Sequence, residues 1–111
     1  MKQFELFTEI IATYQRHGWK LQRVLLRPET RADFAGQADE LSKEVQLIDS
    51  DFDALWFSRP AQAGREAWEL RLAATQPYAL FKAFAADESE EDREAMRVEM
   101  ENQMRDHGAQ T

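Results

Sequence analysis

The chain has 111 residues and a mass of 13.0 kDa, with 14 Lys and Arg against 21 Asp and Glu, giving a formal net charge of −7. A chain of that length suits one domain with one core, so a single domain over 1–111 is expected, unstructured only in its last few residues. The absence of Cys excludes a disulfide framework, a thiolate metal site and a cysteine nucleophile, and the acidic balance argues against a nucleic-acid binder, whose affinity rests on Lys and Arg facing phosphates.

In chain order, residues 2–17 predict an amphipathic helix. Phe4, Phe7, Ile10, Ile11 and Tyr14 fall on one stripe, and Gly18 supplies a stop. Glu5 and Glu9 interrupt the apolar stretch, so it does not read as a secretory leader. No apolar run approaches the roughly 20 residues that span a bilayer, and a cytoplasmic protein without membrane contact is expected. Residues 19–27 (WKLQRVLLR) predict a first strand, ended by Pro28. Residues 28–42 predict a second helix, shortened or broken at Gly36, because Gly costs up to about 1 kcal/mol against Ala inside a helix.

From Glu44 the period changes to two. A second strand over 44–48 leads into the acidic stretch Asp49 to Asp53, and a third strand carries Leu55, Trp56 and Phe57 to Pro60. A short loop reaches Gly64. Glu66, Trp68, Leu70 and Leu72 then alternate with Ala67, Glu69 and Arg71, the clearest strand pattern in the chain. Residues 78–84 fit either a helix stripe or a strand, and a strand is preferred because it would pair with the preceding one. Residues 87–107 predict the last helix, with Asp87 and Glu90 at capping-box spacing, Glu/Arg pairs along it and Gly108 closing it. The resulting order, α-β-α-β-β-β-β-α, implies an α+β domain. Its frame would be a single antiparallel sheet of four or five strands, with the terminal helices packed on it.

Four groups of residues are candidates for function. Asp49, Asp51 and Asp53 alternate, so an extended segment would turn their carboxylates to one side as hard ligands for a divalent cation. The pattern departs from an EF-hand loop, with Ala54 where Gly belongs and Pro60 where Glu belongs; the alternative is a solvated turn. Trp56 adjoins Phe57 and must face the opposite way. Trp56, Trp68 and Arg59 therefore form either a partner-binding patch or part of a core covered on both faces.

Charge is also segregated. Residues 87–107 hold nine acids and three Arg, among them Glu90, Glu91, Glu94 and Glu101, and so carry −6 of the net −7. Residues 16–31 are basic through Arg16, Lys20, Arg23, Arg27 and Arg31. The two segments could dock on each other, within one chain or across a dimer, or could each be an ordinary solvated surface. His17 and His107 each precede Gly at an expected helix end, where the dipole favours their charge. Neither a serine elbow nor a phosphate loop is present.

The order of elements resembles that of small acidic bacterial chaperones of the type III secretion class, which mix helices with an antiparallel sheet and dimerise. The helix between the first two strands departs from their order, and no residue role is carried over. The sequence thus favours a small non-enzymatic protein-interaction or regulatory module, without cofactor, binding a protein partner or itself. The alternatives are a metal-dependent enzyme using the Asp cluster, and an acidic chaperone or nucleic-acid mimic binding a basic partner.

Overall fold

The periodicities above become a five-stranded sheet with helices on both faces. The computed structural model describes residues 3–37, 40 and 45–109. Helix α1 (Gln3–Arg16) leads to strand β1 (Lys20–Leu26) and helix α2 (Pro28–Phe34), which ends in a 3-10 turn at Ala35–Gln37. Strands β2 (Gln46–Asp49), β3 (Ala54–Pro60), β4 (Glu66–Leu72) and β5 (Ala79–Phe84) follow, and helix α3 (Glu90–Ala109) closes the chain. This is the α+β order read from the sequence, with residues 79–84 a strand. The remainder of the second predicted helix (38–42), the start of the second predicted strand at Glu44 and the last two residues of the tail lie outside the described residues, apart from Glu40.

The sheet order is β2-β1-β3-β4-β5. The expectation of a wholly antiparallel sheet is corrected at one edge, where β2 runs parallel to β1. Parallel neighbours need a crossover of a dozen or more residues, and residues 27–45, with α2 among them, supply it. The β3, β4 and β5 meander is antiparallel throughout, and β1 joins it through β3.

Each face has its own core. Beneath α1 and α2 lie Phe7, Ile10, Trp19, Val24, Leu26, Phe34, Leu55 and Phe57. Phe34 locks the two helices together by edge-on contacts with Phe4 and Phe7, at ring distances of 5.2 and 5.1 Å. Beneath α3 lie Leu25, Trp56, Trp68, Leu70, Phe84, Met100 and Met104. The two cores explain why β1 and β3 read as nearly continuous apolar runs: both of their faces are covered.

A β-bulge corrects the phase of β1. Leu21 pairs with Phe57 and Arg23 with Trp56, so Gln22 and Arg23 together oppose one residue of β3. Gln22 sends its Nε2 to Ser58 Oγ at 2.9 Å, on the same face as Arg23. Leu21, Val24 and Leu26 can therefore all reach the α1 side, although their spacing is irregular.

The helix ends differ in detail from expectation. Gly18 takes a left-handed φ of 85° after α1, and the His17 ring lies 2.8 Å from the Thr13 carbonyl. Ser89, rather than Asp87, caps α3: its Oγ accepts the Asp92 N–H at 3.1 Å. Glu88 is drawn aside, accepting the Ala85 N–H at 3.3 Å. At the other end α3 passes through Gly108 to Ala109, and His107 stacks on Tyr78 at 3.7 Å. That contact with the sheet, rather than the helix dipole alone, holds the last turn.

Candidate functional site

The three aspartates do not form a site. Asp49 ends β2 and pairs with Arg31 at 2.6 Å. Asp51, in the following turn, accepts both of its bonds from Arg105 Nε, at 2.8 and 2.9 Å, and that guanidinium holds its carboxyl below the usual range. Asp53 turns inward. Its Oδ1 accepts the Arg27 N–H at 2.8 Å, and its Oδ2 accepts the Thr30 hydroxyl at 2.6 Å and Arg27 Nε at 3.3 Å. The alternation predicted from an extended segment fails because residues 50–53 form a turn, which sends the carboxylates to three different cations. Among the described residues, no group of three His, Asp or Glu side chains gathers as a metal site would.

Asp53 is instead a tertiary cap. Arg27 precedes the first turn of α2 and Thr30 lies within it, so the carboxylate meets the positive end of that helix. Gln3 Nε2 reaches the same carboxylate at 3.4 Å and the Ala73 carbonyl at 3.3 Å. One side chain thereby ties α1, α2, β1 and β3 together. Beside it a cleft of about 670 Å³ opens at the end of the sheet, lined in part by Leu6, Arg27, Phe52, Asp53, Met104 and Arg105. Its Arg side chains are matched within the chain: Arg27 with Asp53, and Arg105 with Asp51.

The Trp pair lies under α3. Trp56 is 0% exposed and Trp68 8%, with ring centroids 5.9 Å apart in an edge-on arrangement. The reading that makes them a partner-binding patch is therefore corrected: α3 covers this face and leaves neither ring accessible. Trp56 Nε1 donates to Glu101 at 2.8 Å and Trp68 Nε1 to Glu66 at 2.6 Å, so both polar edges are satisfied. Arg59 belongs to neither ring. It points to the opposite face, lies 4.5 Å over the Trp19 ring and donates to the His17 carbonyl at 2.9 Å.

The buried charge of this face is Arg97, whose place in the sequence shows only its i,i+3 spacing from Glu94. Its side chain is 1% exposed and lies 4.2 Å over Trp68. It donates to Glu94 at 3.0 Å and to Glu90. Glu94 also takes a two-pronged contact from Arg23, at 2.9 and 3.3 Å. Of the two readings of the segregated charge, the solvated one describes most of these residues: among the five basic side chains only Arg23 reaches the acidic helix, through Glu94. Arg27 and Arg31 serve Asp53 and Asp49. Arg16 bonds to Thr13 Oγ1 at 3.2 Å, and Lys20 is exposed. Glu101 is spent on Trp56, while Glu91 faces solvent.

Burial raises the cost of ionising Glu94, but the hydrogen bonds and charges of Arg23 and Arg97 outweigh it and hold the carboxyl below its ordinary 4.5. A lowered folded value means that the stabilisation is complete above pH 4.5 and is lost as pH falls through the folded value. Glu94→Gln is therefore expected to lower the urea midpoint at about pH 7, and to lower it by less near pH 3. An equal loss at both pH values would show that the contact acts by packing alone.

On the other face, Tyr14 donates its hydroxyl to Glu69 and stacks on Phe57 at 4.0 Å. Burial and then that hydrogen bond push the phenol well above its ordinary 10.0, so it remains a donor throughout the neutral range. Among the described residues no buried side-chain nitrogen or oxygen lacks a partner. The exposed feature of this face is apolar. Phe81, in the middle of β5, is 58% exposed, with Trp19 edge-on at 6.4 Å and Glu69 opposite it on β4.

The chain matches no protein-family model, no curated protein and no solved structure. Among the described residues no helix is long and apolar enough to cross a membrane.

Proposed function

We propose that this chain is a small non-enzymatic protein-interaction module, and that it docks through the edge of the sheet formed by β5. The observation that carries this reading is Phe81, a large aromatic 58% exposed at the centre of an edge strand. Exposed edge strands invite pairing with another chain, and a rigid aromatic is the side chain that anchors such contacts. The neutralised cleft and the dispersed aspartates support the non-enzymatic part, since neither offers a charge poised on a substrate.

The test is co-purification from the native host with wild type and with Phe81→Lys. The ammonium so introduced would face Glu69 across the strands, a favourable cross-strand pair, so the folded chain should be retained. Partners held by the wild type should be lost from the variant. An identical set of partners for both would overturn the reading.

A further inference from the structure

We infer that the occupant of the β5 edge is a second copy of this chain, paired antiparallel about a two-fold axis at Phe81. This deepens the interaction reading above and rests on it. The first ground is backbone geometry. The Leu72 N–H donates to the Tyr78 carbonyl at 2.9 Å, and the β4–β5 register continues unbroken through six rungs from Arg71↔Ala79 to Glu66↔Phe84. Rungs of an antiparallel ladder alternate. Residues 78, 80, 82 and 84 therefore bond inward to β4, while Ala79, Phe81 and Ala83 turn their N–H and C=O groups outward. The next outward residue, Ala85, is already used: its N–H goes to Glu88 and its carbonyl accepts from Arg93 at 2.9 Å. The free edge is thus three residues long and ends sharply.

The second ground is register. A two-fold axis normal to the sheet must pair residues of the same face, so its centre falls on a residue. Centred on Leu80, the pairing sets Ala83 against Pro77, which has no N–H to donate. Centred on Lys82, it sets two ammonium groups directly opposite each other, which is unfavourable, and calls on the occupied groups of Ala85. Centred on Phe81, it pairs Phe81 with Phe81 of the partner subunit and Ala79 with the partner's Ala83. All the outward groups are then satisfied, and Lys82 faces the partner's Leu80. An edge Lys normally guards against pairing; here it rejects one register and permits its neighbour.

The third ground is charge. His107 stacks on Tyr78, the residue before β5, whereas Glu94 and Glu101 contact Arg23 of β1 and Trp56 of β3. Helical spacing then puts Asp92 and Glu99 on the flank of α3 that faces β5. In the pair, each Lys82 lies in the trough between its own acidic flank and that of the partner. On the opposite face, the two Phe81 rings meet between the two Trp19 rings and lose their exposure to water.

The test uses the purified full chain alone. Sedimentation from micromolar to hundreds of micromolar should show a species of twice the 13.0 kDa chain mass. Phe81→Lys should sediment as a monomer at every concentration, with the wild-type circular dichroism and the melting curve of wild type diluted to its monomer. Phe81→Thr, which suits a strand without supplying the ring, should shift dissociation at least tenfold toward monomer. Hydrogen exchange reads the seam directly. The amides of Ala79, Phe81 and Ala83 should be slowed in concentrated wild type and fast in Phe81→Lys, while those of Leu80 and Lys82 stay slow in both. A dimer that exchanges these three amides freely would overturn β5 as the seam. A wild type that stays monomeric would overturn self-pairing, and if Phe81→Lys still loses host partners, the interaction reading would stand without it.

Discussion

Trp56→Ala is expected to cost about 3–5 kcal/mol in urea denaturation, a large share of the roughly 5–15 kcal/mol that keeps a domain folded. Trp56 is the largest fully buried side chain, at the centre of the core beneath α3. Truncation removes the contact with Trp68 and opens a void that Leu70, Met100 and Met104 can fill only in part. It also strips the donor from Glu101. Trp56→Phe separates these contributions, since it keeps most of the ring and loses the indole N–H; a cost of about 1–2 kcal/mol is expected for it. An alanine variant destabilised by less than about 1 kcal/mol would mean that α3 does not cover this face.

Asp53→Ala is expected to cost about 2–3 kcal/mol, less than the loss of a wholly buried ion pair because Arg27 is half exposed. The reason is the number of donors left behind: the Arg27 N–H, the Thr30 hydroxyl and the Gln3 amide all converge on this carboxylate. Their loss should loosen the first turn of α2 before the rest of the fold. Amides of residues 29–32 should then exchange faster relative to those of β3 and β4. Asp53→Asn keeps an acceptor oxygen and should fall between the two. A uniform loss of protection, with α2 no worse than the sheet, would refute the capping role.

Much of the fold was legible in the sequence. Helix α1, the phase of β4 and the hairpin turns follow from apolar spacing and from Gly and Pro positions, which are local properties of the chain. What was hidden depends on which elements meet. The parallel pairing of β2 was missed because nothing in its four residues records direction; a strand–helix–strand order with residues 27–45 between was the available signal. Arg97 looked like a surface residue because a helix wheel shows its Glu neighbours but not the Trp68 ring brought from β4. Arg93 and Arg105 stand three and four residues after Glu90 and Glu101 on the helix, yet pair with Glu66 and Asp51. The Asp cluster misled for the same reason: its alternation holds only while the backbone is extended.

The bulge at Gln22 sets how the interior strand β1 responds to a change in chain length. Gln22 is the supernumerary residue, so its removal would bring Leu21 beside Arg23 with each side chain still on its present face. Only the bond to Ser58 and the local twist would go. Removal of Val24, two positions on, would slide the Arg23 guanidinium into a fully buried apolar place beneath α1. An interior strand of the sheet thus carries one dispensable residue next to one that cannot be spared, and frame-preserving deletions across β1 should divide sharply at that point.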